Sequence, residues 1–383
     1  MTTLKPQPHD QPDPHARNDE PDVTTGPSTT ATTADRARHR LLARVRIAAI
    51  AVWIVAYVAN LAWRGLTVDR PDLILWTVSA VVVFSIGRRP LLSVVVDWLP
   101  FAALLMAYDF SRGAAHLLGR PTMWTPQIDV DRWLGGGNIP TVWLQAHLKS
   151  AHVPWWEFLV SSTYVSYFLL PYVVAGVLWL RDRHTWRRFV VRYVLLSFIG
   201  ISGFVLFPAA PPWAAARCTA VQVADHPANP SCLYGTVRPP NNALLGGYLH
   251  LSHPSASPYV EQLALRGFLR HGLPIAARAI SEGHADANQV AAIPSLHAAT
   301  SLFIVVFLWP LVRRRWRPLL VAYPLVMAFS LVYSAEHYVF DILLGWAVTA
   351  VLTVVVGRWE RRRERRRGID VAERAPVAAP ARG

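Results

Sequence analysis

The sequence predicts an all-α fold, a polytopic integral membrane bundle of about eight transmembrane helices. Three observations predict it. Of the 383 residues, 53% are hydrophobic and only 16% are charged, with 16 Trp, which is too apolar for an ordinary soluble enzyme. Eight apolar runs recur, at about 47–63, 72–87, 91–110, 157–180, 188–207, 295–312, 318–335 and 338–356, and most reach the ~17–25 residues a spanning helix needs. Basic clusters lie between the runs: Arg36 to Arg46, Arg88–Arg89, Arg181 to Arg188, Arg313 to Arg317, and "RWERRRERRR" from Arg358. With eight spans, every cluster falls on the side of the two termini, which the positive-inside rule makes cytoplasmic. The formal net charge of +14 thus belongs to membrane topology. A nucleic-acid partner would call for a basic face interleaved with aromatics on a folded domain, and none is visible.

Taken in order, residues 1–35 are rich in Pro, Thr, Asp and His and nearly free of large aliphatics, which predicts a disordered cytoplasmic tail. The run from Ile47 starts too late and is too long for a cleavable signal peptide, so it reads as the first span of an N-terminal helical region, 36–104. The run at 72–87 is the shortest, and without it the count falls to six or seven. Asp109 and Arg112 have the i, i+3 spacing of a structural pair, and Trp63, Trp98, Trp155, Trp156 and Trp309 sit where interfacial anchors are expected. The segment 208–294, with "FPAAPPW" and "VRPPNNALLGG", reads as a structured outer loop with short helices, one of them in "EQLALRGFLRHGL". It holds the only two cysteines, Cys218 and Cys232, candidates for a structural disulfide in a compartment that permits one. Residues 357–383 read as a basic disordered cytoplasmic tail.

Two stretches carry chemistry, "IPSLHAA" at 293–299 and "SAEHYVFDILLGW" at 334–346. His337 and Asp341 are four apart, on one helical face, so the carboxylate can fix the imidazole tautomer and leave the other ring nitrogen as base or nucleophile. Ser295 is a good N-cap, and the amides after it form an anion site with His297 in the first turn. The predicted topology brings Ser295, His297, His337 and Asp341 to one outer membrane depth, the level of lipid headgroups. No metal-ligand spacing, nucleophile elbow or phosphate loop is present, and no cofactor is implied.

"PSLH" followed by "H-x-x-x-D" resembles the last two signatures of the type 2 phosphatidic acid phosphatase superfamily. The Leu of "PSLH", "NQVAA", "EHYVFD" and "FPAAPPW" resemble its inositol phosphorylceramide synthase-like branch. The resemblance covers roughly 105–356 and implies a phosphatase- or phosphotransferase-like membrane domain there, with a six-helix catalytic core. It implies that His337 forms a phosphohistidine oriented by Asp341, that His297 serves as acid and then base, and that Ser295 helps to hold the phosphate. The expected substrate is a membrane lipid, a phospholipid or an isoprenoid phosphate, met at the non-cytoplasmic face. Inositol-phosphate transfer, hydrolysis of phosphatidate or polyprenyl phosphate, and an inactive lipid-binding or transport protein all remain open, as does the oligomeric state.

The sequence also departs from the pattern. Leu331 stands where the superfamily has a phosphate-binding arginine, after the expected Ser330, and the acidic Glu336 adjoins His337. The first signature is not intact: Arg120-Pro121 and Arg238-Pro239 are present, but Gly113 and Ser231 occupy the lysine positions. Some cation must neutralise the phosphoryl oxygens, and Arg278, then Arg238, then Arg120 are the candidates.

Overall fold

The computed structural model describes residues 33–65, 70–114, 120–228, 230–234, 239–246, 249–253, 255–270 and 290–374. Each apolar run forms a helix. They are α1 (Thr33–Arg64), α2 (Arg70–Ser85), α3 (Leu91–Ala114), then the short α4 (Pro126–Leu134) and α5 (Pro140–Leu148), then α6 (Trp156–Arg181) and α7 (Arg183–Leu206). The loop that follows carries α8 (Pro212–Ala215), α9 (Ala220–Asp225) and α10 (Arg266–Arg270), and the chain finishes with α11 (Leu296–Leu308), α12 (Arg317–Tyr333) and α13 (Val339–Arg374). Six of these, α1, α3, α6, α7, α12 and α13, are long and apolar enough to cross a membrane. The other two are shorter, α2 with 16 residues and α11 with 13. The run at 295–312 is cut short by Pro310, whose ring leaves no backbone N–H to donate to the preceding turn. Among the described residues there are only isolated β-bridges and no strand, so the protein is all-α.

The helix starts follow local chemistry. Asp182 caps α7 by accepting from His184 N at 2.9 Å and Thr185 N at 3.1 Å, while α4 and α5 open on Pro126 and Pro140 and α12 has Pro318 as its second residue. Helix α1 begins at Thr33, inside the stretch expected as a tail, and α13 continues to Arg374 through the basic run expected to be disordered. Arginine and glutamate are good helix formers, and Glu360 ties that extension to α7 by accepting from Arg188 at 2.6 Å and Arg192 at 2.8 Å.

Helix α11 sits at the centre, packed on α13, α12, α7 and α6, while α2 joins α1 and α3 to α6. Two close approaches set its height. A Cβ on Gly345 of α13 would lie 2.4 Å from the Ser295 carbonyl oxygen, and one on Gly203 of α7 would lie 2.4 Å from Pro294 Cδ. Only glycine lets these backbones meet the start of α11. Trp98 is not an interfacial anchor: it is 1% exposed and packs against Phe101 and Trp186. Trp63 and Trp155 are exposed.

At the end of the bundle where α11 begins, "FPAAPPW" lies between two other segments. Met123 N donates to Pro208 O at 2.8 Å and Ala210 N to Met123 O at 3.0 Å, while Ala209 N donates to Val290 O at 2.7 Å and Ala292 N to Ala209 O at 3.2 Å. Cys218 and Cys232 are disulfide-bonded, and Cys218 is buried with Trp124, Trp213 and Tyr338.

Candidate active site

The site is assembled from the N-terminal turns of α11 and α13 and the turn that joins α12 to α13. Ser295 is fully buried, and its Oγ accepts from Ala298 N at 3.3 Å as the N-cap of α11. Its own N–H donates to Asp341 O at 3.1 Å, which locks the two helix starts together. That cap leaves the Ser295 hydroxyl proton as a donor.

His297 lies in the first turn of α11, beside aromatic rings of α6. Its ring centroid is 4.0 Å from Tyr167 and 4.9 Å from Tyr164, the latter stacked at 17°. The His337 ring centroid is 5.7 Å from that of His297. His337 Nδ1 is 3.5 Å from Asp341 Oδ2, which also accepts from Tyr338 N at 3.0 Å. At 3.5 Å this is a loose contact of the kind that tightens with substrate. The turn that presents His337 is held unusually: Ala335, fully buried, has φ +61°, a conformation L-residues other than Asn or Asp rarely adopt. Its carbonyl accepts from Trp213 N at 3.0 Å, so the loop helix α8 clamps the turn.

Glu336 and several groups that the sequence did not single out surround these residues. Asp131 of α4 is fully buried and accepts from Phe340 N at 2.9 Å and Val339 N at 3.0 Å, capping α13 from a distant segment. Burial, with the Asp341 charge adding to it, pushes its carboxyl up to about 6 against the pull of those amides. Gln262 donates to Glu336 Oε1 at 3.0 Å, and burial raises the Glu336 carboxyl to about 7. The acidic neighbour of His337 is thus held partly protonated at neutral pH, which lessens its conflict with a bound anion. Gln262 is in turn fixed by a polar seam: Gln145 donates to Glu261 O at 2.7 Å and Tyr333 O at 2.8 Å, and the buried Lys149 pairs with Glu261 at 3.1 Å. Arg266 forks onto Glu157 at 2.6 and 2.7 Å, with Tyr333 donating to the same carboxylate at 2.6 Å.

Glu336 gives a pH test with a definite sign. The folded state binds its proton more tightly than the unfolded chain, so its contribution to stability is complete below about 4.5 and is lost as pH rises through about 7. Glu336→Gln is expected to flatten the decline in thermal midpoint between those pH values, and an unchanged slope contradicts the assignment.

Of the expected cations, Arg278 and Arg238 lie outside the described residues, as do the side chains of Asp109 and Arg112. Arg120 is exposed. Leu331 is fully buried with Tyr164, Val165 and Met327, so the position where an arginine was expected is part of the apolar core. Another arginine approaches from the N-terminal region. Arg70, the first residue of α2, lies over the Tyr108 ring at 4.0 Å, and Tyr172, Tyr167 and Tyr193 are within electrostatic reach. Tyr167 is the same ring that touches His297. The one sequence signal for it is a lone arginine opening an apolar run. Among the described residues no group of three or more His, Cys, Asp or Glu is arranged to hold a metal ion.

A model of the PAP2 superfamily matches residues 128–355, more than half of the chain, and that stretch contains both histidines and Asp341. The chain belongs to the PAP2 superfamily. It is also 24% identical over 286 residues, 72% of this chain and 80% of the other, to a phosphoinositol dihydroceramide synthase of Bacteroides thetaiotaomicron. No solved structure matches significantly. PAP2 membership, the apolar helices and this relative support a multi-pass lipid phosphatase or phosphotransferase of the inositol phosphorylceramide synthase-like branch.

Proposed function

We propose that this PAP2 protein moves a phosphoryl group of a membrane lipid through a phosphohistidine, with transfer of an inositol phosphate to an alcohol as the favoured reaction. The observation that carries the reading is the pairing of His297 with His337, 5.7 Å apart, and of His337 with Asp341. Asp341 beside Nδ1 keeps the proton on that nitrogen, so the Nε2 lone pair of His337 attacks phosphorus. His297 gives its proton to the departing lipid oxygen, then takes one from the incoming alcohol or water, which attacks phosphorus and releases His337. Ser295 and the first amides of α11 stabilise the equatorial oxygens.

The synthase from Bacteroides supports transfer, and so does the loop anchored by Gln145, Lys149 and Arg266 beside the histidines. Hydrolysis of phosphatidate or a polyprenyl phosphate differs only in the second step. Purified protein is to be given labelled phosphatidylinositol with lipid alcohols, and in parallel phosphatidate and polyprenyl phosphate. Transfer yields a new inositol-phosphate lipid, and hydrolysis yields free phosphate. No product and no label across the panel would leave only an inactive binder.

Arg70 supplies a cation that Leu331 does not, from outside the matched stretch. Arg70→Gln is expected to lower kcat/KM by about tenfold to a hundredfold through loss of a charge-assisted contact. Unchanged kinetics would return it to a structural role on Tyr108. The site is placed at the non-cytoplasmic face, with both termini inside and the catalytic domain at 105–356. A cysteine at Ala291, beside the start of α11, is expected to react with an impermeant thiol reagent added outside, and reaction only from inside reverses the topology.

A further inference from the structure

The bundle has a second polar feature, at the end opposite the histidines. Helix α11 starts at the site, and α13 runs from Val339 to Thr353 over roughly 20 Å of helical rise. There α7, α11 and α13 leave a cavity of about 190 Å³, lined by Thr185, Arg188 and Arg192 on one wall and by Val306, Phe307 and Leu311 on the other. Its two halves are chemically distinct, and both are built.

On the polar wall, Glu360 accepts from Arg188 at 2.6 Å and from Arg192 at 2.8 Å. One carboxylate against two guanidiniums leaves a net positive charge. The Arg192 side chain is only 12% exposed, and its Nε is buried with no hydrogen-bond partner among the described residues. The excess positive charge of Arg188 and Arg192 on the cavity wall favours an anionic oxygen there. On the apolar wall, Leu311 and Val306 are exposed beside the cavity, and Arg192 lies over Phe307 at 5.6 Å. The volume suits a headgroup phosphate and its glycerol but not acyl chains, which would run out along Val306 and Leu311. Basic pockets between spanning helices are suited to acidic headgroups.

The geometry points to a bound anionic phospholipid whose phosphate meets Arg192 and Arg188 and whose acyl chain lies on Val306 and Leu311, a site separate from the catalytic histidines. Its ligand is a structural or regulatory lipid of the opposite leaflet, defined by a phosphodiester without a balancing ammonium group.

The test is lipid retention by the full chain, extracted from phosphatidylcholine bilayers with and without added phosphatidylglycerol and weighed intact by native mass spectrometry. Phosphatidylglycerol is expected to be retained in preference to phosphatidylcholine. Arg192→Gln is expected to weaken that preference about tenfold, the value of a lost hydrogen bond to a charged group. Because Arg192 also holds Glu360, a second variant, Val306→Trp, fills the apolar wall and leaves the arginine pair intact; it should show the same loss. Inorganic phosphate and glycerol phosphate are tested as competitors. Equal retention of the two lipids by the wild type, retention unchanged in both variants, or full displacement of phosphatidylglycerol by inorganic phosphate alone would each overturn the proposal.

Discussion

His337→Ala is expected to lower turnover by at least about 10⁴-fold, and no choice of leaving group should restore it. With the nucleophile gone, no covalent intermediate forms, because the carboxylate of Asp341 is set to orient His337. His297→Ala should behave differently. General acid catalysis contributes about 10²–10⁴-fold, and the loss should be greatest for a lipid alkoxide, a poor leaving group. A phosphodiester with a nitrophenol leaving group needs no proton and should recover most of the first step in His297→Ala. The second step, which needs a base, stays slow, so the variant should show a burst of nitrophenol followed by weak turnover. Equal effects of leaving group on both variants would contradict the division of roles between two rings 5.7 Å apart.

Arg266→Met is expected to destabilise the protein by roughly 3–5 kcal/mol, the cost of leaving a buried carboxylate uncompensated. The Glu157 side chain is 1% exposed and takes both arms of the guanidinium, with only the Tyr333 hydroxyl left when Arg266 is removed. Burial disfavours the Arg266 charge, yet the Glu157 carboxylate outweighs it and raises the guanidinium above the usual arginine value, as expected of a mutually dependent pair. The double variant Glu157→Gln, Arg266→Met should recover much of the loss, because neither charge is stranded. Thermal denaturation in one detergent checks both, and a single variant as stable as the double contradicts the account. Since Arg266 anchors the segment that carries Gln262, residual activity of the folded fraction should also show a weaker hold on Glu336.

What the sequence revealed follows from how local each signal is. The eight helices were legible because apolar runs and arginine clusters are contiguous in the chain, and His337 with Asp341 because their coupling is one helical turn. The helix caps at Asp182 and Ser295 are also local chemistry. The remainder depends on chain segments far apart. Asp131 caps a helix 208 residues later, and Arg266 meets Glu157 across 109 residues, so nothing in "DVDRW" or "ALRGF" marks either role. Trp98 sits at a span end like Trp63, and only the packing of Trp186 shows that it is core. The Asp97 beside it accepts from Trp179 at 2.8 Å and pairs with Arg183, another contact across helices that periodicity does not show. The tail from Arg358 looked too charged to fold, but Glu360 reaching back to α7 gives its helix a tertiary anchor. The phosphate cation was sought in the loops because the superfamily pattern places it there. Arg70, the cation proposed instead, lies on α2, ahead of the matched residues 128–355.

The central claim is a covalent phosphohistidine on His337, and trapping with phosphorus-labelled phosphatidylinositol, quenched in alkaline detergent, tests it most directly. The label should be stable in alkali and labile in acid, should map to the peptide containing His337, should be absent in His337→Ala, and should still form in His297→Ala when the donor is a labelled nitrophenyl phosphodiester. Label absent from wild-type protein that is turning over, or label that survives His337→Ala, would contradict it.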